Sequence, residues 1–318
     1  MNAILPIVIN SPIRVYTYLA YYFSVLSAHG CDLSGVLYNH YLTLRYENSH
    51  LPLSYQAKFY AKEQFEHEYF DSTALDVVQR VRAGIQAGKY AVLVLNAKHI
   101  TNVLFDREWY HDWLIYGFDD GNREFTAAGY VLDTSCHTFE YKTIQISYDD
   151  VAQAFPPAST DFGYKKNNMS HHFFWLPEHY TPPTLNVKKV KRDIFFYAHN
   201  ALPKSFNACA CAKYAVMFRR EHIGTGELFD LRPFRVLQEH KQLIIDMMCA
   251  LVKESTAALE YQKLLNIVKA IQSCALKYNI SRCNKQKTVE NICIALQQIS
   301  KDEPAIMRKF YRELKETL

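Results

Sequence analysis

Apolar residues recur at helical spacing in 12–28, "PIRVYTYLAYYFSVLSA", where Val15, Leu19, Tyr22 or Phe23, and Leu26 share one face. Ser11 stands where an N-cap belongs, Pro12 suits the first helical position and Gly30 is a stop signal, so the pattern predicts a helix over 12–28. A second apolar segment, "LSGVLYNHYLTLRY", covers 33–46. The stretch 72–88 has a Ser/Thr start and ends on Gly88, which predicts another helix.

The period then shortens. "KYAVLVLNA" is an unbroken apolar run of strand length, and 111–118 repeats the signal after a loop at 97–109. "DDGN" predicts a tight turn into "REFTAAGYVL", "FEYKTIQISY" a further strand, "YDDVAQAF" a short helix and "HHFFWLPEHY" one more strand. The first 180 residues therefore mix N-terminal helices with a largely antiparallel sheet, an α+β arrangement. "TPPT" at 181–184 reads as a linker. Beyond it, 186–202, 207–222, 232–254, 256–278, 285–300 and 303–317 show apolar spacing of three and four, with breaks at Pro203, Gly224, Gly226 and Pro304. The stripe Leu264, Ile267, Val268, Ile271 and Ala275 is predicted as core. The expected division is 1–180, α+β, and 181–318, all-helical.

Composition narrows the function classes. An apolar content of 49% supports packed interiors over the 318 residues. Lys and Arg number 36 against 32 Asp and Glu, a net charge of +4 spread along the chain, so nucleic acid is not the expected partner. The 23 tyrosines read as core and groove lining. The longest apolar runs are too short to span a bilayer, and the N-terminus lacks the pattern of a signal peptide. The eight cysteines, at 31, 136, 209, 211, 249, 274, 283 and 293, include no CxxC pair, so no zinc site is expected. Reduced thiols in a cytoplasmic protein are the expectation.

Acyl-transfer chemistry needs a nucleophile, a base within reach, an orienting group and oxyanion donors. A helix N-terminus favours the first and last of these, because its unpaired N–H groups stabilise developing negative charge. Ser11 lies at such a place, and His111 lies at the start of a strand. Each also has a structural reading, Ser11 as a pure N-cap and His111 as a satisfied structural histidine. Cys31, the sole cysteine in the first 130 residues, is the rival nucleophile or a small buried thiol in a turn.

In order along the chain, the first helix after "VIN", the Gly30 stop, "LSGVLYNHYLTLRY", "GKYAVLVLNA", "HDWLIYGFDD" and "ISYDDVAQAF" resemble the papain-like acyltransferases related to the butirosin biosynthesis protein H N-terminal domain. They are similar also to the closthioamide-type amide-forming cysteine-protease homologue. "FDLRPFRVLQEHKQLIIDMM" resembles the helical region that often follows. The resemblance implies a papain-like cysteine-protease fold, with N-terminal helices packed on an antiparallel sheet, followed by a helical domain. It also implies acyl transfer from a carrier-protein thioester to an amine in nonribosomal-peptide- or polyketide-type natural-product assembly. His111 takes the place of the family histidine. The nucleophile position falls on Ser11, where the family usually has cysteine; the serine is a weaker nucleophile, a replacement of that cysteine, or a mark of lost catalysis. The family's orienting acid falls near Ala128 or Gly129, neither of which can orient a ring.

Asp112 is adjacent to the histidine but expected on the opposite face of the strand. Asn96 is the expected neutral orienter. No metal or diffusible cofactor is implied, the phosphopantetheine arriving on an acyl or peptidyl carrier protein. Arg219, Arg220 and Arg235 are the expected carrier-docking residues; the alternative is that they brace and solvate the bundle. A thioesterase or peptidase using the same residues, or an inactive binding protein of the same fold, are the alternative functions.

Overall fold

The structure is a computed structural model that describes the chain except residues 50, 51, 58, 59, 104–106, 134–137, 157–170, 200, 204 and 318, and the side chains of 102, 133 and 138. Cys136 lies outside the described residues. Two compact units emerge, 1–31 with 61–181, and 32–60 with 182–318. The division at Thr181 falls within "TPPT", but 32–60 belongs with the helices and not with the sheet as expected. Short strands β2 (Leu44–Tyr46) and β3 (Leu53–Tyr55) explain this, because they pair with each other in a separate two-stranded sheet. Three-residue strands carry too little alternation to be read from sequence.

In the first unit, a seven-stranded sheet has the order β4 (Glu66–Tyr69), β9 (His172–Trp175), β5 (Tyr90–Asn96), β6 (Tyr110–Asp119), β7 (Glu124–Asp133), β8 (Thr138–Ser147), with β1 (Asn2–Ile4) paired to the far end of β6. Each pairing is antiparallel. β5 is buried at every position, as an interior strand with both faces covered must be. One face carries Leu93, Leu95, Trp113, Ile115, Ala127 and Ile146, packed on α3 (Val77–Gln86) and α4 (Tyr148–Ala154) through Val77, Val81, Ile85 and Val151. The other face meets α1 (Thr17–Ala28). There the Tyr21 hydroxyl donates to the Asp112 carbonyl at 2.6 Å, and the Ser24 and Tyr141 hydroxyls lie 3.4 Å apart. Buried hydroxyls would be poor lining for an oil-like core, but those of Tyr21, Ser24 and Tyr141 each have a polar neighbour.

His171 lies between the Phe155 and Phe70 rings, and its Nδ1 accepts from the Val94 N–H at 3.2 Å. That bond requires the neutral ring. Burial lowers the imidazole's pKa to about 4, against the partial opposing effect of Asp71. An unfolded histidine titrates near about 6.5. The unfolded chain therefore takes up a proton that the folded one refuses, and the stabilisation, complete above that value, is lost as pH falls from about 6.5 toward about 4. His171→Gln keeps an acceptor for Val94 without a titrating ring. Its denaturation midpoint, followed by tryptophan fluorescence, is expected to fall less than the wild type's over that window. Equal slopes in the two proteins would show that other groups carry the acid sensitivity.

The second unit contains α2 (Ser34–His40), α5 (Val187–Ala198), α6 (Asn207–His222), α7 (Arg232–Leu251), α8 (Thr256–Ser281) and α9 (Lys285–Thr317). The expected helices recur with one correction. Pro304 does not end a helix but sits inside α9. Ile299, Glu303, Pro304, Ile306 and Met307 form one buried stripe across the proline, so packing on both sides outweighs the lost backbone hydrogen bond. Leu264, Val268, Ile271 and Ala275 are buried as expected. Among the described residues no helix is long and apolar enough to cross a membrane.

Candidate functional site

The expected nucleophile position is not at a helix head. α1 begins at Thr17 with Tyr16 at its N-cap, five residues beyond the predicted start, and residues 11–16 form an irregular crossing. Ser11 is buried in it and donates its hydroxyl to the Ile13 carbonyl at 3.3 Å. The apolar spacing of 12–28 had no means to separate a helical turn from a bend of equal polarity. The crossing is tied to the α1 side of the sheet, since Val8 N–H donates to the Ser24 carbonyl at 3.0 Å and the Tyr130 hydroxyl bonds the Arg14 carbonyl.

His111 stands on β6 opposite Leu95, and strand alternation gives it the side of Trp113, the α3 and α4 side. Its ring lies 4.6 Å from that of Trp109 and 6.3 Å from that of Trp113, centroid to centroid. Among the described residues no hydrogen bond joins Ser11 to His111; the Ser11 hydroxyl is bonded to the Ile13 carbonyl and the His111 ring to the Asp112 carbonyl.

Asn96 does not orient the ring either. It lies opposite Tyr110, one residue out of step with His111, and its side-chain oxygen accepts from the Lys98 and Trp109 N–H groups, both at 3.2 Å. It holds the entry of the 97–109 connection instead. Gly129 leaves no room for an acid, because a Cβ there would lie 2.5 Å from the Trp113 indole.

Asp112 is the residue that reaches the imidazole, contrary to the simple alternation argument. His111 Nδ1 lies 2.8 Å from the Asp112 carbonyl oxygen and 3.3 Å from its carboxylate Oδ1. Both partners are acceptors, so the hydrogen sits on Nδ1 and the lone pair on Nε2. Among the described residues Oδ1 makes no hydrogen bond of good geometry, and the ring approaches it at 3.3 Å. Asp112 is buried, and after burial itself it is the next cause holding the Tyr21 hydroxyl far above its ordinary pKa. The histidine side chain keeps 18% exposure.

No protein-family model matches the chain, and no curated protein matches it.

Cys31 follows Gly30, which has a φ of 67°, and precedes α2 by three residues, so it heads no helix. Burial pushes its thiol pKa up, away from thiolate character. Arg219 and Arg220 are exposed in the last turn of α6, where cations complement the carbonyl end of the helix, and Arg235 is half-buried in α7. Among the described residues no group of three or more His, Cys, Asp or Glu is placed to hold a metal ion. The dipeptide "HD" was the signal for the histidine's true partner. Alternation hid it, because a strand end lets a ring fold back on its own backbone.

Proposed function

We propose that the first unit is an acyltransferase acting by general-base catalysis, in which the acceptor amine attacks a carrier-bound thioester directly. The observation that carries this reading is the His111–Asp112 pair, which presents Nε2 as a base to which, among the described residues, no hydroxyl or thiol is hydrogen-bonded. In this scheme the neutral amine nitrogen adds to the thioester carbonyl carbon. His111 Nε2 takes the proton that the nitrogen loses. The C–S bond then breaks, the amide forms, and the departing thiolate takes the proton from the imidazolium. The Asp112 carboxylate faces the ring while it is positive, as a triad's acid does for its histidine. Trp109 packs on the ring and limits access by water. The phosphopantetheine arm comes with the carrier protein, and Arg219, Arg220 and Arg235 are the proposed docking cations for its acidic face.

This differs from the covalent papain-like scheme in one measurable respect. Intact mass spectrometry during turnover of an acyl thioester with an amine is expected to show no acyl adduct on Ser11 or Cys31. Ser11→Ala and Cys31→Ala are expected to keep amide formation. An adduct on Ser11 that Ser11→Ala abolishes, together with activity, would restore the covalent scheme. Release of free acid in place of amide would make the protein a hydrolase.

A further inference from the structure

The second unit holds a cavity of about 460 Å³ between α2, the β2–β3 hairpin and α5. That volume is in the range of small-molecule sites, roughly 300–1,000 Å³. Its polar lining divides into two sets. Asn39, Lys189 and Asp193 are already bonded to the frame. Lys189 Nζ donates to the Asn39 carbonyl and, at 2.6 Å, to the Asp193 carboxylate, and the Asn39 side chain bridges Thr184 and Asn186 at 3.0 and 2.9 Å. Arg192, His40, Thr43 and Gln56 also line the cavity, and among the described residues their side chains make no hydrogen bond. Arg192 is 62% exposed, and among the described residues its one ion-pair contact runs from Nε to Asp193 at 3.5 Å, so both terminal guanidinium nitrogens face the cavity mouth without a protein partner there.

Among the described lining residues, Lys189 and Arg192 stand against the single carboxylate of Asp193, which leaves one positive charge uncompensated there. Burial and then Lys189 lower the His40 pKa, against the opposing effect of Asp193, so the ring adds a neutral donor and acceptor and not a second cation. Leu42, Ala57, Phe196 and Leu202 supply apolar wall. The His40 ring is stacked on Tyr60 at 3.4 Å, which fixes its plane. A few unpaired polar groups converging on a cavity with apolar walls are the features of a ligand site, and a fork of two free N–H groups matches a carboxylate or a phosphate.

We infer that this cavity binds a small organic anion, with its carboxylate or phosphate on Arg192 and an apolar, planar body against Phe196 and Leu202. The site is independent of the acyl-transfer reading of His111.

The test uses the intact chain and four probes: benzoate, phenyl phosphate, inorganic phosphate and benzylamine, followed by isothermal titration and by heteronuclear NMR. Saturable binding of benzoate or phenyl phosphate is expected, with shifts confined to the cavity residues, and none with benzylamine. The tighter of the two anions identifies the head group. Arg192→Gln changes an exposed residue and is expected to weaken binding about ten-fold to a hundred-fold, the effect of losing a charge-assisted bond. Phe196→Ala is expected to weaken the ring-bearing anions and to leave inorganic phosphate unchanged. Ala57→Trp fills the cavity and is expected to abolish binding with helical content retained. Unchanged affinity in Arg192→Gln, equal binding of benzylamine, or no saturation with either ring-bearing anion would overturn the inference.

Discussion

Replacing Lys241 by alanine is expected to unfold the helical unit under conditions where the wild type is stable, with a loss of about 3–5 kcal/mol. Lys241 on α7 and Glu303 on α9 form an ion pair whose side chains are 0% and 1% exposed. The Tyr261 hydroxyl from α8 donates to the same carboxylate oxygen, so three helices meet at one buried charge pair. Burial alone would push the Glu303 carboxyl up. Lys241, then His240, and the hydrogen bonds from Lys241 and Tyr261 outweigh it and hold the group below its ordinary range. His240 meets the opposite fate. Burial and the Lys241 charge lower it to about 3, and its Nε2–H donates to the Leu42 carbonyl at 3.0 Å as a neutral ring.

Either single deletion leaves the other charge buried and unpaired, so Glu303→Ala should cost as much as Lys241→Ala. The double replacement Lys241→Met with Glu303→Leu removes both desolvation penalties together. It is expected to recover most of the loss, and the coupling between the two positions is the readout. The spectroscopic assignment is favourable, since all three tryptophans, Trp109, Trp113 and Trp175, belong to the sheet unit. Far-UV circular dichroism then reports mainly the helices. A double variant as unstable as the singles would show that the pair contributes net stability and is not merely tolerated.

What the sequence disclosed and what it hid follow one physical division. Helices of twelve or more residues repeat their apolar face several times, so α5 to α8 could be placed within a few residues of their ends. β5 to β8 declared themselves by apolar runs and by the Asp-Asp-Gly-Asn turn. Local signals failed where a long-range contact decides. Pro304 reads as a stop, but Ile299 and Met307 bury it in a continuous helix. Ser11 and Pro12 read as a helix start, but the Val8 and Arg14 backbone bonds draw that segment into a crossing over α1. β2 and β3 are too short to show a period, so the membership of 32–60 in the helical unit was invisible. The cavity of the second unit had no signature either, because its walls come from segments about 150 residues apart that only the fold brings together.

His111→Gln is expected to lower kcat/KM for amide formation by about 10²–10⁴, the usual contribution of a positioned general base. Glutamine occupies similar volume and has no proton-accepting nitrogen at the Nε2 position, and the partly buried strand end should tolerate it. Asp112→Asn is the more informative change, because it separates catalysis from stability. The carboxylate is buried, and among the described residues the imidazole approach is the one ion-pair contact that offsets its charge. An amide of the same shape removes the buried charge, so the melting temperature is expected to stay level or rise. The same amide can present its NH₂ to Nδ1, which favours the tautomer with the hydrogen on Nε2 and so removes the base from the substrate side. It also removes the negative charge that faces the ring when it holds a proton. The loss is therefore expected in kcat with KM little changed, since neither effect alters how the thioester or amine binds. Stability that holds while turnover falls is the mark of a group positioned for chemistry. A lower melting temperature with unchanged turnover would make Asp112 a structural anchor for Tyr21 and α1. Unchanged turnover in His111→Gln would remove the base from the scheme and leave the first unit as a binding module.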